Sequence, residues 1–394
     1  MLKDIVVLSA ARSAVGAFGG SLKDLEPAEL GGLVIKETVA RSKVDPGQIT
    51  YAAVGNIIPT EARYPYVARV ATIQGGLSMD SVAFAVNRLC GSAMQAIISS
   101  AQAIMLGDAE FALAGGVESM SRAAYLLPAL RSGARMGDTK ALDAMVSVIT
   151  DPFGVGHMGM TAENLAVKWG ISREEQDAFA LESQKRATAA RAAGHFKDQI
   201  VPITFKTRKG EVVFDTDEHV KPDTTLESLA RMKPAFKKEG GTVTAGNASG
   251  INDAAAFLVL ADAARASAAG YRPIARLVAY GIAGVPNDVM GEGPIPATRL
   301  ALERAGLSLD QIDVIESNEA FAAQSITVAR GLGLDPAKTN PNGGAIALGH
   351  PVSATGSVIV TKLLHELQRT QKRYGLATMC IGGGQGIATI YERL

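Results

Sequence analysis

Apolar and polar positions along this chain switch between a two-residue and a helical period, and the switching runs in the same order twice. Ile5 to Ser9 is the short apolar run of a buried strand, Ala28 to Arg41 has helical apolar spacing, and Tyr51 to Gly55 reads as a second strand. The stretch from Ala83 to Gly115 then predicts a strand over 83–86, a tight corner from Asn87 to Ser92, an apolar helix ending near Leu106 and a strand over 109–114. Past residue 270 the order returns. Ile274 to Tyr280 predicts a strand, Ala297 to Ala305 a helix closed by Gly306, and Leu309 to Glu316 leads into another strand as Val44 to Tyr51 does earlier. A corner at Asn342-Gly343-Gly344, a helix from Val352 to Gln368 and strands over 376–380 and 386–391 complete the set. Alternating strands and helices of this kind predict an α/β fold built from two similar halves.

In that alignment His350 falls where Cys90 falls, each at a corner leading into a helix, so a two-fold arrangement of the halves brings the corners together. The segment between them, 120–246, is of another kind. It is richer in charge and holds a capping box, Ser172 with Glu175, at the start of a long helix to Ala193 that Gly194 stops. Basic stretches follow at Lys206 to Lys209 and Arg231 to Lys238. The expected organisation is an N-terminal half over 1–119 completed by about 247–268, an inserted loop domain over 120–246, and a C-terminal half over 269–394.

Composition narrows the partners. A chain of 394 residues is too long for one ordinary core, and 39 basic against 39 acidic residues leave a net charge of +0. Such a balance recommends neither nucleic acid nor a membrane surface, and no apolar run approaches the ~20 residues of a membrane span. The opening MLKDIVVLSAARS begins a strand at once without a signal pattern, so the cytoplasm is expected. In that reducing compartment the two cysteines, Cys90 and Cys380, are expected as free thiols. No histidine pair has metal-ligand spacing and there is no C-x-x-C, so no metal and no cofactor are expected. The glycines from Gly382 to Gly386 do not open a helix, which removes the dinucleotide-binding reading.

Candidate chemistry lies at four places: Cys90 in Asn-Arg-Leu-Cys-Gly-Ser, Asn318 in Ser-Asn-Glu-Ala-Phe, His350 in Gly-His-Pro, and Cys380 in Met-Cys-Ile-Gly-Gly-Gly. Each is predicted at the C-terminal end of a strand or in the turn after it, where open α/β sheets carry ligand sites. At the mouth of a helix the Cys90 thiolate should be favoured by free N–H groups and the helix dipole; the competing reading is a cysteine that merely packs as a small hydrophobe. A thiol that attacks an acyl carbonyl needs a base, which His350 can be. An oxyanion needs fixed donors, which Asn318, His350 and glycine-flanked N–H groups can supply. A second thiol suits reversible proton transfer at carbon.

Those blocks, Cys90-Gly91-Ser92, Asn318-Glu319-Ala320-Phe321, Gly349-His350-Pro351 and Cys380-Ile381-Gly382-Gly383-Gly384-Gln385-Gly386, resemble the signatures of the thiolase family, specifically its bacterial short-chain β-ketothiolases and acetyl-CoA acetyltransferases. The resemblance spans essentially the whole chain. It implies a five-layered αβαβα fold with duplicated halves and an inserted loop domain. It also implies reversible Claisen condensation of two acyl-CoA to 3-ketoacyl-CoA and CoA, with short-chain substrates. Cys90 would be acylated with His350 as its activator, and Cys380 would move the methyl proton of the second acetyl-CoA. One oxyanion hole would combine His350 with a water held by Asn318, the other the N–H groups of Cys90 and Gly382. Coenzyme A would meet His157, Met158, Lys221, Phe236, Ala245, Gly246, Ser249, Met290, Ala320 and Phe321. A homotetramer is implied, with its loop near Arg131 to Asp138.

Two departures from the family pattern stand out: Ala93 and Ser353 occupy positions where glycine is usual, and Ser353 is expected either to crowd the acyl pocket or to alter its hydrogen bonding. Of the other histidines, His365 is expected on a helix and partly solvated, while His195 and His219 lie in polar surroundings without a functional signal. A papain-like hydrolase would place its asparagine after its histidine, whereas Asn318 precedes His350. A ketoacyl synthase typically uses two histidines, which the Asn-Glu-Ala block and Cys380 oppose. A broader-range degradative thiolase and a silent acyl-CoA-binding relative are the remaining alternatives.

Overall fold

The computed structural model describes residues 3–207 and 210–394, so Arg208 and Lys209 of the predicted basic stretch lie outside the described residues. Nine strands carry the architecture. In chain order they are β1 (Ile5–Ser13), β2 (Ile49–Gly55), β3 (Val82–Val86), β4 (Phe111–Ser119), β5 (Asn252–Asp262), β6 (Ala275–Gly284), β7 (Val314–Ser317), β8 (Tyr374–Ile381) and β9 (Gln385–Arg393). The first five are ordered β3-β2-β4-β5-β1, with parallel pairing across β2 and antiparallel pairing on either side of β5. The last four repeat the pattern as β7-β8-β9-β6, parallel then twice antiparallel, and a bridge from Ile315 to Thr339 stands where a fifth strand would be. Even an irregularity is duplicated: the register slips between Val7 and Ser9 in β1 and between Leu277 and Ala279 in β6. The halves join where Ile5–Val7 pairs antiparallel with Ala275–Leu277.

Helices supply the other layers. They are α1 (Pro27–Ser42), α2 (Val67–Gln74), α3 (Ser92–Leu106), α4 (Met158–Trp169), α5 (Arg173–Ala192), α6 (Pro294–Ala305), α7 (Ala322–Leu332) and α8 (Thr355–Thr370). α3 and α8 pack on each other and on both sheet units, forming the central layer. Their apolar residues, Met94, Ile97, Ile98, Ile104, Val360, Leu363, Leu364 and Leu367, share one core with Val7, Leu258, Met379 and Tyr391. The Leu89–Leu106 window is apolar and long enough to cross a membrane by composition alone, and 61% of it is buried inside the protein as part of this layer. A second core, with Leu30, Val34 and Ile35 of α1, covers the outer face of the N-terminal unit. A third, with Ala297, Ala301 and Val328, covers that of the C-terminal unit. The result is the expected αβαβα stack.

Most predicted elements appear with ends moved by a few residues. The strand β5 escaped prediction, because its uninterrupted run Ala-Ala-Ala-Phe-Leu-Val-Leu-Ala, fully buried on both faces, has no alternation to reveal it. A second difference concerns His350. The chain before it is a single helical turn, Ala345–Leu348, rather than a strand, and His350 itself bridges to Ile251.

The stretch between β4 and β5 contributes α4, α5 and short strand pairs, and it is tied to the halves by buried polar contacts. The capping box at Ser172 and Glu175 forms, and Gly194 follows the helix at φ +75°. Arg12 of β1, fully buried, makes a bidentate pair with Asp217 at 2.7 and 3.0 Å and donates through Nε to Gln199 at 2.8 Å. Removing one member leaves an uncompensated charge in the core. Asp217→Asn should therefore cost about 3–5 kcal/mol of stability, read from urea denaturation. An unchanged midpoint would show that the guanidinium finds water instead.

Candidate active site

The corner that presents Cys90 is built by its neighbours. Asn87 Oδ1 accepts from Leu89 N–H at 3.2 Å, while Ser92 Oγ accepts from Arg88 N–H at 2.9 Å and donates to the Leu89 carbonyl at 2.6 Å. Leu89 is held at φ +48°, a left-handed conformation that a branched side chain adopts only under constraint. The turn aims Cys90 into a cavity of about 430 Å³. Cys380, at the end of β8, His350 and Gly382 line the same cavity. The two sulfur atoms, 290 positions apart in sequence, thus meet beside one imidazole.

His350 is buried, and its position is fixed from two sides. Its N–H donates to Asn252 Oδ1 at 3.0 Å, and its Nδ1 lies 2.6 Å from Thr355 Oγ1. Gly349, at φ +104°, must be glycine here, since a Cβ would lie 2.5 Å from the Asn252 side chain. With Nδ1 engaged by Thr355, Nε2 is the nitrogen left for the cavity. Burial lowers the His350 pKa to about 4, so the ring is neutral near pH 7 and able to accept a proton. Its linkage has a definite sign. The ring takes up a proton near pH 6.5 when unfolded but only near 4 when folded, so its contribution to stability is lost as pH falls through that window. The loss is on the order of 3 kcal/mol by pH 4. His350→Asn should flatten the decline in urea midpoint between pH 7 and pH 4.5; an unaltered slope would argue against a buried neutral ring.

The cysteines depart from expectation. Burial pushes the Cys90 thiol up to about 11, against hydrogen bonds from the Gly382 and Cys90 backbone N–H groups. The helix mouth therefore does not generate a resting thiolate, and a base is required. The backbone N–H groups of Gly382 and Cys90 lie near enough to the sulfur to act against burial, though burial is the larger effect. Cys380 is 1% exposed, and its thiol is raised first by burial and then by the nearby Cys90. Glu118, buried behind the corner, is raised by burial to about 8 and is thus a neutral carboxyl near Cys90 at pH 7, held by Ile58 N–H and Asn56 Nδ2. Asn318, directly after β7, is 1% exposed, and neither its Oδ1 nor its Nδ2 has a hydrogen-bond partner among the described residues.

Of the residues expected to meet a ligand, His157, Met158, Lys221, Phe236, Ala245, Ser249, Met290, Ala320 and Phe321 all line the cavity. Gly246 does not; it lines an adjoining cavity of about 250 Å³ that shares His219, Lys221 and Ala245. His157 stacks on Phe236 at 4.4 Å, Phe236 meets Phe321 edge-on at 6.1 Å, and His157 Nδ1 caps α4 by accepting from Gly159 N–H. Ser353 does not crowd the pocket. It is fully buried with its hydroxyl donating to the Val117 carbonyl at 3.1 Å, and Ala93 packs beside Gly116. Sequence reasoning missed Thr355, Asn252 and His219. Thr355 lies five residues past His350, at the first position of α8; His219 reaches the cavity through tertiary packing alone. His365 is partly buried and its Nε2 meets the Ala10 carbonyl at 3.0 Å.

Residues 5–264 match the model described as "Thiolase, N-terminal domain" and residues 271–393 that described as "Thiolase, C-terminal domain". The chain belongs to the thiolase family. Within that family it is 58% identical to the beta-ketothiolase BktB of Cupriavidus necator and 50% identical to the acetyl-CoA acetyltransferase of Pseudomonas aeruginosa, each over 100% of both chains. Among solved thiolase structures, human mitochondrial 3-ketoacyl-CoA thiolase in complex with CoA matches with a TM-score of 0.96 at 44% identity, covering 100% of this chain and 98% of that one. Like its relatives, this thiolase is an acyltransferase.

Proposed function

We propose that this thiolase joins two short acyl-CoA molecules into a 3-ketoacyl-CoA and free CoA, and catalyses the reverse thiolysis, through an acyl-Cys90 intermediate. The observation that carries the reading is the meeting of Cys90, His350 and Cys380 in one cavity with apolar walls. Cys90 Sγ attacks the carbonyl of the first acetyl-CoA while its proton passes to His350 Nε2. The developing oxyanion is held by the Cys90 and Gly382 N–H groups. The C–S bond to CoA breaks, and the departing thiolate takes the Cys380 proton. Cys380 is then a thiolate beside an imidazolium, an ion pair that offsets the burial of each charge. It removes a methyl proton from the second acetyl-CoA. The enolate oxygen is held by His350 and by a water on the Asn318 amide, and the enolate carbon attacks the acyl-enzyme. The C–S bond to Cys90 breaks and His350 returns its proton, so every group ends as it began.

CoA itself lies against the insert in this reading, with Phe236, Met158 and Phe321 along its apolar arm and Lys221 toward its phosphates. The human relative's complex with CoA supports CoA as the ligand. The exposed Leu126, Leu127, Leu130 and Met136 supply an apolar surface on which a homotetramer would assemble. Full-length relatives named acetyl-CoA acetyltransferase, at 50% and 49% identity, support the short-chain reading. The test is kcat/KM for thiolysis across 3-ketoacyl-CoA lengths, which should fall at least about tenfold beyond five carbons. A plateau out to long chains would instead mark a fatty-acid degradative enzyme.

A further inference from the structure

Asn318 is buried with an amide that nothing in the described chain holds, yet the backbone on both sides of it is clamped. Asn340, itself at φ +45°, accepts from Ser317 N–H at 2.9 Å and donates to the Ser317 carbonyl at 2.8 Å. The same Asn340 Nδ2 donates to Glu319 Oε1 at 2.8 Å, so one side chain grips the residues before and after Asn318. Asn318 N–H donates to the Thr378 carbonyl at 3.0 Å. Glu319 Oε2 accepts from Ser183 Oγ at 2.6 Å and from Ile346 N–H at 3.2 Å. Ser183 belongs to α5 of the insert, and its hydroxyl also accepts from Gly344 N–H at 3.1 Å. Gly344 must lack a side chain, because a Cβ there would lie 2.2 Å from the Glu319 carboxyl carbon.

Glu319 is 2% exposed and, like Asn318, lies behind the residues that line the cavity. An apolar residue of similar size would fill its space without the cost of burying a carboxylate. What an apolar residue cannot do is accept from three donors on three segments at once. We propose that Glu319 is a positioning residue, locked by Asn340 and Ser183, that sets the direction of the Asn318 amide and so couples the insert helix to the enolate step. This rests on the reading of Asn318 given above.

Glu319→Gln keeps the shape but sets an amide against the Asn340 and Ser183 donors. Acylation of Cys90 by acetyl-CoA, followed by intact mass, should stay within about twofold, while methyl-proton exchange and condensation kcat should fall roughly 10- to 100-fold at little-changed KM. Ser183→Ala, which removes one donor and leaves the core filled, should slow the same step several-fold, with Ser183→Thr restoring it. Adding Glu319→Gln to Asn318→Ala should cause no further loss, as expected of residues acting through one group. If Asn318→Ala is impaired but Glu319→Gln and Ser183→Ala exchange normally, the clamp is refuted alone. If Asn318→Ala exchanges normally, the reading of Asn318 falls and this inference with it. Equal loss in acylation and exchange would reduce Glu319 to a folding role and overturn the proposal.

Discussion

Cys90→Ala should abolish acyl transfer to the protein, with a loss in turnover of at least about 10⁴-fold. Among the described residues no other nucleophile is placed to replace it: Cys380 is deeper, and its thiol is held protonated by burial and by its neighbour. The check is intact mass after exposure to acetyl-CoA, where wild type gains one acetyl group and the variant none. Because the corner is organised by Asn87 and Ser92 rather than by the thiol, the variant should fold normally. An acetylated Cys90→Ala protein would refute the nucleophile assignment.

Cys380→Ser should separate the two halves of the reaction. The variant should still acquire an acetyl group on Cys90, since His350 is untouched and a CoA thiolate is a good enough leaving group to depart without the Cys380 proton. Condensation should fall by about 10³-fold or more, because a buried hydroxyl is a far weaker acid than a thiol and cannot serve as the carbon base. Proton exchange at the acetyl-CoA methyl group measures that step directly. Exchange at the wild-type rate would remove Cys380 from the role of base and leave His350 as the only candidate.

Much of this site was legible before any coordinates. Cys90, His350 and Cys380 each sit within two residues of a glycine or proline, and that local punctuation can be read from letters. The duplication was visible in the repeated order of strands and helices, although the helix stops differ: Gly306 ends α6 where Lys43 ends α1. What escaped was set by distant neighbours. The direction of the Cys90 pKa shift depends on burial against the C-terminal half, which overrides the local helix dipole. Of the two effects expected of Ser353, crowding is absent because its hydroxyl is turned to the Val117 carbonyl of another strand. β5 is hidden by its own complete burial, and His219 by a surrounding sequence that looks solvated.

The division of labour along the chain has a consequence for engineering. Every reacting group comes from the duplicated halves, whereas His157, Met158, Lys221 and Phe236 come from the stretch between them. Exchanging that stretch among relatives would transplant substrate preference while leaving the bond-making apparatus in place. Among the attachments the graft must carry are Asp217, to neutralise the guanidinium of Arg12, and Ser183, to meet the carboxyl of Glu319.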